Sequence, residues 1–206
     1  MTIKLRFLKF ALIFYFLFSG FLFAEESESI DLSDQRIIKI ETYLNNIKYL
    51  KANFIQDDIT NSQLSEGIFY MFRPGKLRID YTNPFEASLY TNNKITTYYD
   101  KELDEISNIR TKSTPLHFLL NDNLSFSDKS ILVTNFSEDK KFYNISLKEL
   151  KKQKQGTLIL KFKKNPFELN SIKLINELDQ EVEMSLFKIS TDEIDKSVFV
   201  FKNPRN

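Results

Sequence analysis

The sequence has no cysteine and no tryptophan, one histidine, four glycines and five prolines among 206 residues. Without cysteine there are no disulfides, so apolar burial alone must hold the fold. The chain also has no cysteine on which to carry a lipid of its own. One histidine and no thiol leave none of the usual ligand sets for zinc or another transition metal. The few glycines form no phosphate-cradling loop. His117 lies in the apolar run PLHFLL, and its nearest acid in sequence is Asp122. That reads as a partly buried or surface histidine rather than one member of a triad. Asp57-Asp58 and Asp179-Gln180-Glu181 read as solvated hairpin tips. The residues therefore predict a protein that is not an enzyme and needs no cofactor or metal.

The first residues, MTIKLRFLKFALIFYFLFSGFLFA, run from basic (Lys4, Arg6, Lys9) through apolar to small, with no acid before Glu25. This order predicts a secretory signal peptide over 1–24, with cleavage near Ala24 or after Gly20. The apolar run is short of the roughly 20 residues that a membrane-spanning helix needs. Removing three of the 29 basic residues and none of the 28 acids leaves a formal charge of −2 over 25–206. That balance points away from nucleic acid.

What is abundant is aromatic: 20 Phe and 9 Tyr. A single domain over 25–206 with that content has a large apolar interior, a large apolar pocket, or both. Ile37, Ile40, Leu44 and Ile47 recur at helical spacing, with Ser33 or Asp34 as cap. After Tyr49 the pattern alternates. Strands are predicted through Leu50–Phe54, Gly67–Phe72, Leu77–Tyr81, Ala87–Thr91, Ile95–Tyr99 and Leu103–Ile109. Arg73-Pro74-Gly75-Lys76 reads as a type II turn and Asn92-Asn93 as a hairpin turn. Pro115 opens a short helix over Leu116–Leu120. Six further strands follow: Ile131–Phe136, Phe142–Leu147, Thr157–Phe162, Leu169–Ile175, Glu183–Ile189 and Val198–Phe201. Lys148–Gln155 reads as a basic solvated turn. The simplest account is a mainly β, α+β domain: one antiparallel sheet of about ten strands that curls towards a barrel, with one long and one short helix.

The segment RPGKLRIDYTNPFEASLYTNNKITTYYD (73–100) resembles the LolA family of periplasmic outer-membrane lipoprotein carriers. It has Arg-Pro, an alternating strand, a Tyr shortly before Pro, a hairpin, then an aromatic followed by Asp. LNNIKYLKANFIQ (44–56), Thr114-Pro115-Leu116 and the closing Phe199–Pro204 extend the resemblance in order along the chain. Departures are Ile79 and Thr97 where many members carry aromatics, and Asn92-Asn93 for Asp-Gly. The resemblance implies an incomplete antiparallel β-barrel covered by a helical lid, with acyl chains of lipoproteins between them. It implies a monomer loaded by an inner-membrane ABC lipoprotein-release complex and unloaded by an outer-membrane acceptor resembling LolB. Its alternative is a carrier or sensor of another envelope lipid on the same half-barrel.

On that reading, Leu77, Ile79 and Tyr81 line the lipid-binding cavity, with Phe54 and Leu89 next to them. Ile40, Leu44 and Ile47 cover it from the long helix, and Leu116 and Leu119 from the short one. The resemblance makes Arg73 the latch that holds the lid closed, its fixed donors suited to carbonyls at helix ends.

Overall fold

The computed structural model describes residues 30–92, 94–113, 115–151 and 156–205. The expected signal peptide, Asn93 of the hairpin turn, Thr114 and the end of the basic turn lie outside them.

Among the described residues one α-helix, α1 (Gln35–Asn46), starts at Asp34, whose carboxylate accepts the Arg36 N–H at 2.8 Å. Of the two candidate caps, Asp34 is the one used. Ile37, Ile40 and Leu44 form its buried stripe. The helix stops at Ile47, which turns extended while its N–H still bonds to the Leu44 carbonyl.

Eleven strands follow: β1 (Tyr49–Asp58), β2 (Gln63–Phe72), β3 (Lys76–Asn83), β4 (Ala87–Asn92), β5 (Ile95–Asp100), β6 (Glu105–Arg110), β7 (Ile131–Glu138), β8 (Phe142–Glu149), β9 (Thr157–Lys164), β10 (Phe167–Ile175) and β11 (Glu181–Ser190). They form one antiparallel sheet in the order β6-β5-β4-β3-β2-β1-β11-β10-β9-β8-β7. Every junction joins sequence neighbours except β1–β11, where the chain's first and last strands meet. The sheet is open, with β6 and β7 as its edges. Alternation sets the faces: in β1, Leu50, Ala52 and Phe54 are buried around exposed Lys51, and in β9 Leu158, Leu160 and Phe162 point inward.

The helix packs on the half of the sheet that follows β1. The Tyr43 ring meets Phe162 and Phe167 edge-on, with centroids 5.7 and 5.3 Å away, and its hydroxyl accepts the Leu169 N–H. Each buried aliphatic or aromatic side chain of this core contributes about 1.5–3 kcal/mol. Gly67 on β2 allows close approach of its neighbours: a Cβ there would meet the Asp80 carbonyl oxygen of β3 at 1.9 Å and the Phe54 ring of β1 at 2.8 Å. Among the described residues no helix is long and apolar enough to cross a membrane.

Several local expectations change. The short helix is a 3₁₀ segment, Pro115–Leu120. Leu103 is not in a strand: Asp100 Oδ1 accepts the N–H groups of Glu102 and Leu103, and the resulting turn delays β6 to Glu105. Gly75 has the expected positive φ, 75°, and the Arg73–Pro74 peptide is cis. Val198–Phe201 is not a strand. Lys196–Phe199 is a 3₁₀ turn capped by Asp195, and the Val198 carbonyl accepts from Arg78 rather than from a neighbouring strand. Phe199 and Phe201 pack on outer-face aromatics instead, against Phe72 and Tyr90.

Candidate functional site

A cavity of about 370 Å³ lies against the inner face of the sheet. One wall is Phe69, Leu77, Ile79, Tyr81 and Leu89, from β2 to β4. The opposite wall is Ile172, Leu174, Val182 and Met184, from β10 and β11. Ile109 of β6 and Leu116 and Leu120 of the 3₁₀ segment complete the apolar surface. Between β4 and β10 lie five inter-strand steps, roughly 24 Å across a flat sheet. Both border one cavity, so the sheet bends across its middle.

Polar groups stand at defined places on this surface. Thr91, Thr96 and Thr111 join their hydroxyls in a buried triangle, with Oγ1 separations of 2.7, 3.1 and 3.3 Å. His117 also borders the cavity, with Nε2 3.9 Å from a Glu149 carboxylate oxygen. A second group comes from the ends of β1 and β10 and the turns beyond them: Gln56, Asp58, Asn61, Asn176 and Gln180. The Tyr81 hydroxyl donates to Gln56 Oε1 at 2.9 Å, and burial pushes the phenol up to about 12.

The expected site residues separate into three sets. Leu77, Ile79, Tyr81, Leu89 and Leu116 border the cavity. Leu44, Ile47 and Leu119 border a much smaller void, about 10 Å³, which Arg73 also lines. Ile40 and Phe54 border neither; both are fully buried in the continuous core, with the Phe54 ring edge-on to Tyr81 at 5.5 Å.

Arg73 is only 5% exposed. Its Nη1 donates to the Leu44 carbonyl in the last turn of α1, and its Nε donates to the Asn121 carbonyl just after the 3₁₀ segment at 2.7 Å. Burial pulls the guanidinium below its usual pKa, with Asp122 opposing. The same end is tied twice more. Asn45 exchanges hydrogen bonds with the backbone of Leu124, and the Gly75 N–H donates to the Leu120 carbonyl. One arginine therefore bridges the helix end, the 3₁₀ segment and the β2–β3 turn.

The β10–β11 wall and the amide-rich group were not among the expected site residues. The alternation of Ile172 with Leu174 and of Val182 with Met184 is visible in sequence. Their place opposite β3 depends on the long-range β1–β11 pairing.

A family model described as Outer membrane lipoprotein carrier protein LolA matches residues 45–202. An outer-membrane lipoprotein carrier protein of Methylococcus capsulatus is 30% identical over 120 residues, covering 52% of this chain and 55% of that protein. An uncharacterized protein of Rickettsia prowazekii is 24% identical over 172 residues, covering 81% of this chain and 76% of its own length. Among solved structures, a LolA superfamily protein of Nitrosomonas europaea superposes with a TM-score of 0.43 at 6% identity, over 80% of this chain and 97% of that one.

Proposed function

The chain belongs to the LolA family of outer membrane lipoprotein carrier proteins, and from that premise we propose that it binds lipoprotein acyl chains in the cavity between the sheet and its helical cover. Carriers of this family bind lipoproteins, work in the periplasm and are not enzymes. The observation that carries the reading is the apolar cavity itself, bordered by Leu77, Ile79 and Leu89 on one side and Leu174 and Met184 on the other.

Acyl chains do not cross water freely, since each buried methylene is worth about 0.8 kcal/mol. A carrier must shelter them and still release them. In the proposed cycle, α1 and the 3₁₀ segment act as a lid over a half-barrel. Arg73 latches the lid by holding the Leu44 and Asn121 carbonyls together. Breaking these bonds offsets part of the gain from burying the chains, so the cargo is held without being trapped. The chain is loaded by an inner-membrane ABC lipoprotein-release complex and unloaded at a LolB-like outer-membrane acceptor. Ile40, Leu44, Ile47 and Leu119 touch cargo only once the lid moves. Phe54 backs the wall behind Tyr81.

Depletion followed by membrane fractionation tests this reading. Lipoproteins should accumulate in the inner membrane; an unchanged distribution contradicts it.

One observation favours a second reading, a carrier of a smaller envelope lipid. At roughly 30 Å³ for a group the size of a methylene or a water, the resting cavity of about 370 Å³ accommodates one acyl chain rather than several. Mass spectrometry of the ligand that co-purifies from the periplasm separates the two, by finding an acylated polypeptide or a free lipid.

A further inference from the structure

The cavity is apolar along its walls, but the chemistry at its edge is specific in sign. Among the described residues that border it there is no lysine and no arginine. Its one carboxylate is Asp58, whose two oxygens accept the backbone and side-chain N–H groups of Asn61. Those bonds hold the Asp58 carboxyl below its ordinary range, so it is charged at neutral pH.

The remaining groups at that edge are amides. Gln56 spends its Oε1 on the Tyr81 hydroxyl, and Gln180 spends its Oε1 on Asn176 Nδ2, a bond of 2.7 Å. Both glutamines keep their Nε2 donors without a protein acceptor among the described residues. An amide N–H₂ of this kind suits a neutral carbonyl oxygen. A phosphate or carboxylate drawn to the same place would lose water, gain no cation and face Asp58, which is unfavourable on every count.

We propose that the Gln56, Asp58 and Gln180 edge selects acyl chains by their headgroup, accepting uncharged heads that carry ester or amide carbonyls and rejecting anionic ones. This rests on the acyl-binding reading above and deepens it. A fatty acid or an alkyl phosphate is anionic at neutral pH, whereas an N-acylated, ester-linked peptide end is uncharged. An edge without cations separates the two while the apolar walls treat all acyl chains alike.

The test uses the full mature chain loaded with the neutral fluorescent probe N-phenyl-1-naphthylamine. The probe is displaced at about pH 8 by monolauroylglycerol, laurate or dodecyl phosphate, which share one chain length, both acids being ionised there. Monolauroylglycerol should bind roughly tenfold or more tightly than either anion. Asp58→Lys should bring laurate and dodecyl phosphate to within a few-fold of the neutral ligand. Gln180→Lys serves as a second carrier of the same charge change where the first fails to fold. Equal binding of all three ligands by the wild-type protein, or a preference unmoved by either lysine, overturns the headgroup inference alone. Failure of all three to displace the probe overturns the acyl-binding reading itself.

Discussion

Among single residues, Tyr81 joins wall and edge. Its ring borders the cavity and stands edge-on to Phe54, while its hydroxyl donates to Gln56. Its folded-state pKa, about 12, lies above the ordinary tyrosine value of about 10 because burial disfavours the phenolate. A group raised on folding stabilises fully below the unfolded pKa and loses that contribution as pH climbs through the folded one. The stabilisation from Tyr81 is therefore intact below pH 10 and is lost towards pH 12. At neutral pH Tyr81→Phe should cost about 1 kcal/mol for the lost hydrogen bond. From pH 10 to 12 the gap to wild type should close and then reverse, because two pKa units are worth about 3 kcal/mol, more than the hydrogen bond. Denaturant midpoints measured across that range check both halves, and a wild-type advantage that grows with pH contradicts the assignment. The sequence marks Tyr81 as inward-facing through its alternation with Leu77 and Ile79. It does not say whether an inward side chain meets another side chain or empty space. Phe54 alternates just as well and Ile40 keeps its helical spacing, yet both end in solid core. Asp58 and Gln180 look like ordinary hairpin-tip residues until the fold brings both to the same cavity.

Elements show where the local pattern is enough and where it fails. The helix is legible because Ile37, Ile40 and Leu44 repeat at its period and Asp34 caps it. All eleven strands are legible from alternation, with ends misplaced by up to four residues; β6 starts two residues late because the Asp100 side chain closes a turn first. The segment Val198–Phe201 alternates too, yet its carbonyl is satisfied by Arg78 and its rings by other aromatics. Alternation reports a side chain's face, not the partner of its backbone. The helix and the 3₁₀ segment meet at Arg73, which bonds to the last turn of α1 and to the residue after the 3₁₀ segment. Arg73→Leu leaves two carbonyls without that donor, so it should lower stability by roughly 1–3 kcal/mol. It should still take up lipoprotein but pass it on poorly, because opening no longer opposes burial. A transfer assay between inner-membrane vesicles and an outer-membrane acceptor reads this, and normal hand-over by the variant refutes the latch.

Over the whole molecule, the sheet closes its middle by pairing β1 with β11. That pairing brings Leu174 and Met184 opposite Ile79 and Leu89. No local signal in the sequence specifies it, which explains why one wall of the cavity was expected and the other was not. The resulting hollow is the basis of the carrier reading, and a photo-crosslinking residue can interrogate it directly in the envelope. With p-benzoylphenylalanine in place of Leu89, on the cavity wall, irradiation should yield adducts with acylated proteins. The same residue in place of Phe187, 40% exposed on the opposite face of β11, serves as the control. The account predicts lipid-modified adducts at Leu89 and none at Phe187. Acylated adducts at Phe187 in place of Leu89, or none at either position, would contradict it.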